Sequence, residues 1–287
     1  MLEKENMKLN NYKIWFLLII LGGFMNMVSG QDGIDTALFK ELKVKKMWVY
    51  VKLPILPTKS LNDSCKVEVY EFDSLQRIRY QLNNVSCYGW SGSTENFNKY
   101  DAKSRLMHSK QIMEGAETNV YYFYNDKNDA IRILQNRPDQ PDSFVTINRY
   151  VYNKMGKPKT VNVFNIIGLD TAKYILNYDY DSANNIKTIW TYSGDMQLIQ
   201  KETFDITPIS KKLLEFSTEV VLPKRTFTRG WNYYNFDAQL FRTQYSNNTW
   251  TEFVYSENGL LDQSLSYNME GKLNAWKTYY YEFYESQ

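Results

Sequence analysis

The groups that could move a proton, hold a metal or attack an electrophile are few in this chain, which has one histidine and two cysteines in 287 residues. A zinc site gathers three or four His, Cys or carboxylate ligands, and a Ser-His-Asp or Cys-His arrangement would have to be built on His108. His108 follows Leu106 by two positions on a strand-like stretch, which reads as a sheet-surface residue rather than a general base. Gly89, Trp90, Ser91, Gly92 and Ser93 come near a nucleophile elbow, but Ser93 holds the place of the second glycine and the segment reads as a flexible loop. Asp126, Asn128 and Asp129 resemble part of a calcium loop without its glycine and closing bidentate glutamate, and read as an elongated turn. No metal site and no cofactor is expected.

Paired carboxylates are the one catalytic arrangement left open, because a glycosidase needs only two of them at a defined separation. Asp179 and Asp181 share strand parity, yet Asp181 is already explained as a turn residue. The aromatic residues pose a sharper question: 24 Tyr, 15 Phe and 7 Trp must be placed. Such rings pack in cores and cross-strand ladders, and on an exposed sheet face they stack on sugars or anchor a protein partner. Trp90, Trp231, Tyr233, Trp250 and Trp276 fall outside the repeated positions described below, which makes them the candidate ligand-binding residues.

What positions these residues begins with export. Residues 14–25 form an apolar run preceded by Lys8 and Lys13 and followed by Val28, Ser29 and Gly30, the order of a secretory signal peptide ending at residue 30. The run is shorter than the roughly 20 residues of a spanning helix; the other reading is an uncleaved anchor. Removing residues 1–30 takes three lysines and two glutamates from 34 basic and 32 acidic residues, leaving 31 against 30. A nearly neutral chain with no basic run beyond Lys43, Lys45 and Lys46 argues against a nucleic-acid partner. The expected location is the periplasm, the cell surface or outside the cell, with no stable membrane span once the signal is removed. Asn62, Asn84 and Asn247 begin acceptor sequons, which matter only in a glycosylating eukaryotic host.

An oxidising compartment changes how the cysteines read. Lys66 to Tyr80 reads as two strands around a turn at Asp73 to Gln76, so residues paired across it have numbers summing to about 150. Cys65 and Cys87 sum to 152 and can close a disulfide at the open end of that hairpin; two unpaired buried thiols are the alternative.

The mature chain, residues 31–287, repeats one pattern: an aromatic residue, then Asp or Asn, a turn residue four positions on, and Ile or Leu six positions on. Tyr180, Asp181, Asn184 and Ile186 show it cleanly, as do Tyr267, Asn268, Gly271 and Leu273. Tyr100, Asp101, Ser104 and Leu106, then Phe72, Asp73 and Ile78, then Tyr255, Gly259 and Leu261, then Tyr152, Asn153 and Gly156 carry it in part. Tyr124, Asn125 and Ile131 read as a copy stretched by one residue, Phe204 and Asp205 as a degenerate one, and Phe236 and Asp237 as a shortened one. Asp or Asn bonds back to the local backbone, the fifth position tolerates positive φ, and the outer residues pack on a pleated surface. Only residues 35–44 look helical.

The pattern resembles the YD repeat of Rhs-type bacterial surface proteins, over roughly residues 67 to 284, with several Tyr-Asn and Phe-Asp pairs in place of Tyr-Asp. The chain is also similar to small exported proteins of Bacteroidota. The resemblance implies an all-β fold, a long curled antiparallel sheet built from successive hairpins; the helical segment 35–44 is expected to cover its N-terminal edge. Three functions follow as expectations: an exported non-enzymatic binding or scaffold protein engaging a protein or cell-surface glycan through an aromatic-rich sheet face; a secreted carbohydrate-active enzyme with paired carboxylates; and a periplasmic folding or immunity partner.

Overall fold

The computed structural model describes residues 36–53, 64–88, 92–138, 144–207, 210 and 212–285. The signal segment 1–30, Trp90 and the Asn62 sequon lie outside these. A short helix, α1 (Thr36–Glu41), leads into β1 (Val44–Lys52), β2 (Cys65–Phe72), β3 (Ile78–Asn84), β4 (Ser93–Tyr100), β5 (Leu106–Met113) and β6 (Ala116–Tyr124). Then come β7 (Ala130–Asn136), β8 (Phe144–Tyr152), β9 (Pro158–Ile167), β10 (Asp170–Tyr180), β11 (Ile186–Ser193) and β12 (Leu198–Ile206). The last six are β13 (Leu213–Val220), β14 (Thr226–Tyr234), β15 (Leu240–Tyr245), β16 (Trp250–Tyr255), β17 (Leu261–Tyr267) and β18 (Leu273–Phe283).

Each strand pairs antiparallel with the next in sequence, and β1 pairs with both β2 and β18. The sheet is therefore a closed 18-stranded barrel. The all-β expectation holds, but the open curled sheet does not: closure gives every backbone edge a partner, as barrels do. The helix has no edge to cover. Instead Phe39 of α1 packs edge-on against Phe72 and Tyr281, with centroids 5.4 and 5.7 Å away, on the inner side of β2 and β18.

Ten described turns share one geometry. In the first, Gln76 N–H donates to the Asp73 carbonyl, Asp73 N–H donates to the Arg77 carbonyl, and Gln76 sits at φ 61°. This is a type I turn followed by a left-handed bulge residue. The Asp73 carboxylate accepts from the N–H groups of Leu75 and Arg77 at 2.9 and 3.0 Å, and Asp101, Asn125, Asn153 and Asn268 repeat the same double contact. Three readings of the repeat need correction. The turn after Tyr124 has ordinary length, with Ala130 rather than Ile131 opposite Tyr124. The later copy begins at Tyr234 and Asn235, not Phe236, because Asn235 closes the turn with Gln239 and Ala238 takes the positive φ. In β12 the closing residue is Thr207, bonded to Lys212, so Ile206 and not Phe204 holds the tyrosine position.

The turns after β2, β4, β6, β8, β10, β12, β14 and β16 share one mouth of the barrel. There the ladders within hairpins run to the turn, while those between hairpins stop early: β3 and β4 end at Tyr80 with Phe97, and β5 and β6 at His108 with Tyr121. The incoming tyrosine closes the gap. Tyr100 donates to the Ile78 carbonyl at 2.8 Å, Tyr124 to Leu106 at 2.6 Å, Tyr180 to Pro158 at 2.7 Å, Tyr234 to Leu213 at 3.0 Å, Tyr255 to Leu240 at 2.8 Å and Tyr281 to Leu261 at 2.7 Å. A cation from the preceding turn lies over the ring, as Arg77 does over Tyr100 and Arg105 over Tyr124, both at 4.8 Å. Between β11 and β12, Phe204 and Ile206 have no hydroxyl to offer.

Barrels of this strand number are too wide for their own side chains to fill, and the inward residues agree. Around α1, β1, β2 and β15–β18 they are apolar, including Phe39, Met47, Val49, Leu240, Phe253 and Tyr279. Elsewhere they include Ser109, Thr118, Thr146, Asn165, Gln200 and Glu202, all buried. Thr146 bonds to Asn165 at 2.9 Å and Thr243 to Asn232 at 2.8 Å, so these polar groups are satisfied along the wall. Gly230 faces inward under the Phe216 ring, which a Cβ there would meet at 2.4 Å. Cys65 and Cys87 form a disulfide with Cα atoms 5.6 Å apart, Cys87 lying in a 3-10 turn (Val85–Tyr88) just past β3.

Candidate binding face

Four of the five candidate aromatics stand together on the outer wall. On β14, Trp231 and Tyr233 point outward on either side of the buried Asn232. Pairing then carries one row from Trp231 through Gln244 and Trp250 to Tyr267. A second row runs from Tyr233 through Arg242, Glu252 and Leu265 to Trp276 and on to Lys52 of β1. At about 4.8 Å per strand, the five steps from Tyr233 to Lys52 cover about 24 Å. Trp90 lies outside the described residues.

The polar side chains in these rows hold the rings in place. Trp250 stacks on Tyr267 with centroids 4.9 Å apart and planes 16° apart. The Arg242 guanidinium lies 5.5 Å from the Trp250 centroid and 2.6 Å from the Glu252 carboxylate. Glu215 accepts from Arg229 at 2.6 Å and from the Trp231 indole N–H at 3.0 Å, while Arg229 lies 5.0 Å from the Trp231 centroid. The Arg229 hydrogen bond holds the Glu215 carboxyl below its ordinary pKa despite opposing desolvation, with the Arg229 charge and the Trp231 N–H adding to it. Burial, with the Glu252 charge beside it, pushes the Tyr267 phenol up. Trp250 Nε1, Trp276 Nε1 and Arg242 Nε are buried donors with no acceptor.

The face extends further than the sequence reading reached. Trp48 and Tyr50 of β1 pair with Tyr280 and Thr278 of β18, and all four point outward. Tyr50 meets Tyr280 edge-on at 5.5 Å, and Trp48, Tyr50, Ser64 and Tyr280 line a shallow cleft. The alternation of Trp48, Tyr50 and Lys52, and of Trp276, Thr278 and Tyr280, is visible in sequence. Their adjacency is not, because it exists only through barrel closure. Lys46, Lys52 and Lys66 lie 5.4, 5.4 and 5.5 Å from the ring centroids of Trp48, Trp276 and Tyr50.

The other sequence candidates go elsewhere. His108 stacks on Tyr121 at 4.7 Å and contacts Asn119 at 3.0 Å on the outer wall. Asp126, Asn128 and Asp129 belong to an ordinary turn, not an elongated one. Asp179 faces Thr188 across β10 and β11, away from the turn residue Asp181. Asp205 and Glu215 are cross-strand neighbours on the convex outer wall. Inside, burial raises the Glu202 pKa against one hydrogen bond from Gln200. The half-buried Lys277 pairs with Glu68 at 2.7 Å across β1; desolvation alone would lower its pKa, but the Glu68 charge and neighbouring tyrosines leave it raised.

The class defined by this geometry is a closed all-β barrel with next-neighbour strand order. No family model and no curated protein matches the chain. Among solved structures it is similar to a porin-like protein from Bacteroides uniformis, at 11% identity and TM-score 0.42, covering 83% of this chain and 98% of that one. It is also similar to the TcdB2-TccC3 toxin complex, at 12% identity and TM-score 0.37, covering 74% of this chain and 12% of that one. A Tc holotoxin pore from Photorhabdus luminescens matches at 12% identity and TM-score 0.36, covering 77% of this chain and 13% of that one. This chain thus spans about an eighth of the toxin chains. The barrel assignment rests on the strand pairing itself.

Proposed function

We propose that this is an exported, non-enzymatic binding protein, made of YD-like hairpin units closed into a barrel, that engages a glycan through the outer face of β14–β18 and β1. The observation that carries the reading is the convergence of Trp231, Tyr233, Trp250 and Trp276, distant in sequence, into two adjoining rows. Flat rings interleaved with Gln244, Arg242 and Glu252 provide stacking surface and hydrogen-bonding groups side by side, which suits a sugar chain. Export is supported by the apolar run before Gly30 and by the Cys65–Cys87 disulfide.

A barrel standing in water is favoured by the ion pairs Lys110–Glu117, Arg229–Glu215 and Arg242–Glu252 along the outer wall. A lipid-facing belt would be penalised by about 2–4 kcal/mol for each such cation at its midplane. The carbohydrate-active alternative is disfavoured because the neighbouring acids Asp205 and Glu215 sit on a convex surface, with Glu215 already bonded to Arg229 and Trp231.

Titration of tryptophan fluorescence with a panel of oligosaccharides tests the reading. Binding is expected, and Trp231→Ala with Trp250→Ala should weaken it about tenfold or more while the barrel stays folded by circular dichroism. A silent panel, together with capture of a protein that depends on the same two residues, would replace the glycan with a protein partner. Turnover of a bound sugar, abolished by changing one carboxylate, would restore the enzyme.

A further inference from the structure

The face has a surplus of donors. Its carboxylates are engaged: Glu71 by Lys46 at 2.8 Å, Glu215 by Arg229 and Glu252 by Arg242, both at 2.6 Å. Lys52 and Lys66 have no carboxylate partner among the described residues, and each ammonium lies over a ring of the face. A surface whose carboxylates are paired while two of its ammonium groups are not is complementary to a ligand rich in anionic oxygen.

We infer that the ligand is an acidic polysaccharide, bearing carboxylate or sulfate groups, bound with its acidic groups at Lys52 and Lys66 and its sugar rings along Trp276, Tyr50 and Tyr280. This rests on the glycan reading above and adds the charge of the sugar to it. Lys52 on β1 and Lys66 on β2 are diagonal neighbours, Lys66 pairing with Tyr50 two residues from Lys52; at roughly 7–8 Å they would meet acidic groups on separate sugar units rather than one. Held over aromatic faces, the ammonium groups are partly ordered before the ligand arrives.

The test is calorimetric titration of the mature chain with polygalacturonate oligosaccharides, with the same oligosaccharides after reduction of their carboxyls to primary alcohols, with a sulfated oligosaccharide, and with a neutral panel. The expected result is binding of an acidic probe that weakens with added salt and is lost on carboxyl reduction; preference between the first and third probes tells carboxylate from sulfate. Lys52→Gln and Lys66→Gln should each weaken it about threefold, and together about tenfold, at unchanged melting temperature. Equal binding of acidic and reduced probes, or binding of neutral sugars alone, overturns the acidic ligand and leaves the glycan reading standing. If no probe of any charge binds, both fail. If the double lysine variant binds acidic probes as well as the parent does, the site is misplaced and the inference is overturned.

Discussion

Tyr284 donates its phenolic hydrogen bond to the carbonyl of Phe72 at 2.6 Å, across 212 residues of sequence. With β1 lying between the two, this contact belongs to the same ring of tyrosine-to-carbonyl bonds that runs from hairpin to hairpin around one mouth, and it spans the point where the barrel closes. Each such bond occupies a carbonyl that the diverging strands leave without a backbone donor.

Removing one hydroxyl and keeping its ring should expose the value of a tether. Tyr124→Phe and Tyr180→Phe are each expected to destabilise by about 1 kcal/mol, and to add when combined, since the sites are far apart. Tyr192→Phe, on the outer wall, should stay within about 0.5 kcal/mol. Urea unfolding curves for the three variants and the double variant give the answer; equal effects at Tyr192 and Tyr124 would deny the tethers any special role.

The same ring should make the barrel alkali-sensitive. Burial pushes the Tyr124 and Tyr150 phenols from 10.0 up to about 12, with neighbouring charges adding to it. Between those values the native state holds protons that the unfolded chain has released, so stability falls as pH rises through the window and is intact below its lower limit. Denaturation midpoints from neutral pH upward should decline beyond about pH 10, and less steeply in Tyr124→Phe.

Glu202 should behave in the opposite sense from a paired acid. Its raised pKa means that ionisation at neutral pH costs folding energy, and that this cost disappears as pH falls below the raised value. Glu202→Gln is expected to stabilise the protein at neutral pH by about 1 kcal/mol, and the advantage should vanish in acid. Paired melts at the two pH values would show it.

Reducing the Cys65–Cys87 bond, or replacing both residues with serine, should cost about 3 kcal/mol for a loop of 22 residues. The loss should localise to β2, the 3-10 turn and the start of β4, read by hydrogen exchange. Loss spread evenly over the barrel would contradict that.

How much of this could be read from the sequence depends on whether the signal is local. The turn at Asp73 to Gln76 and the disulfide register were accessible because hairpin pairing is a matter of counting: Glu68 with Asn83 and Val69 with Leu82 both sum to 151. Tyr234 was hidden because the Phe236–Asp237 pair two residues on imitates the motif, and because Ala238 at φ 66° bears none of the usual Gly or Asn marking. The grouping of Trp231, Tyr233, Trp250 and Trp276 could be guessed only as a list, since neither a common face nor a common neighbour is written locally. Closure left no trace at all: Val49 pairs with Tyr279, and nothing near either residue points to the other.

That closing pair has a kinetic consequence. Seventeen of the strand pairings join segments adjacent in the chain and can zip from local turns, so contact order is low until the end. The β1–β18 pairing must wait for the whole polypeptide, and in the interval two apolar-faced ribbons lie open to one another and to other chains. Newly made molecules would therefore be most prone to mispair, or to join with a second copy, in the moments before β18 arrives.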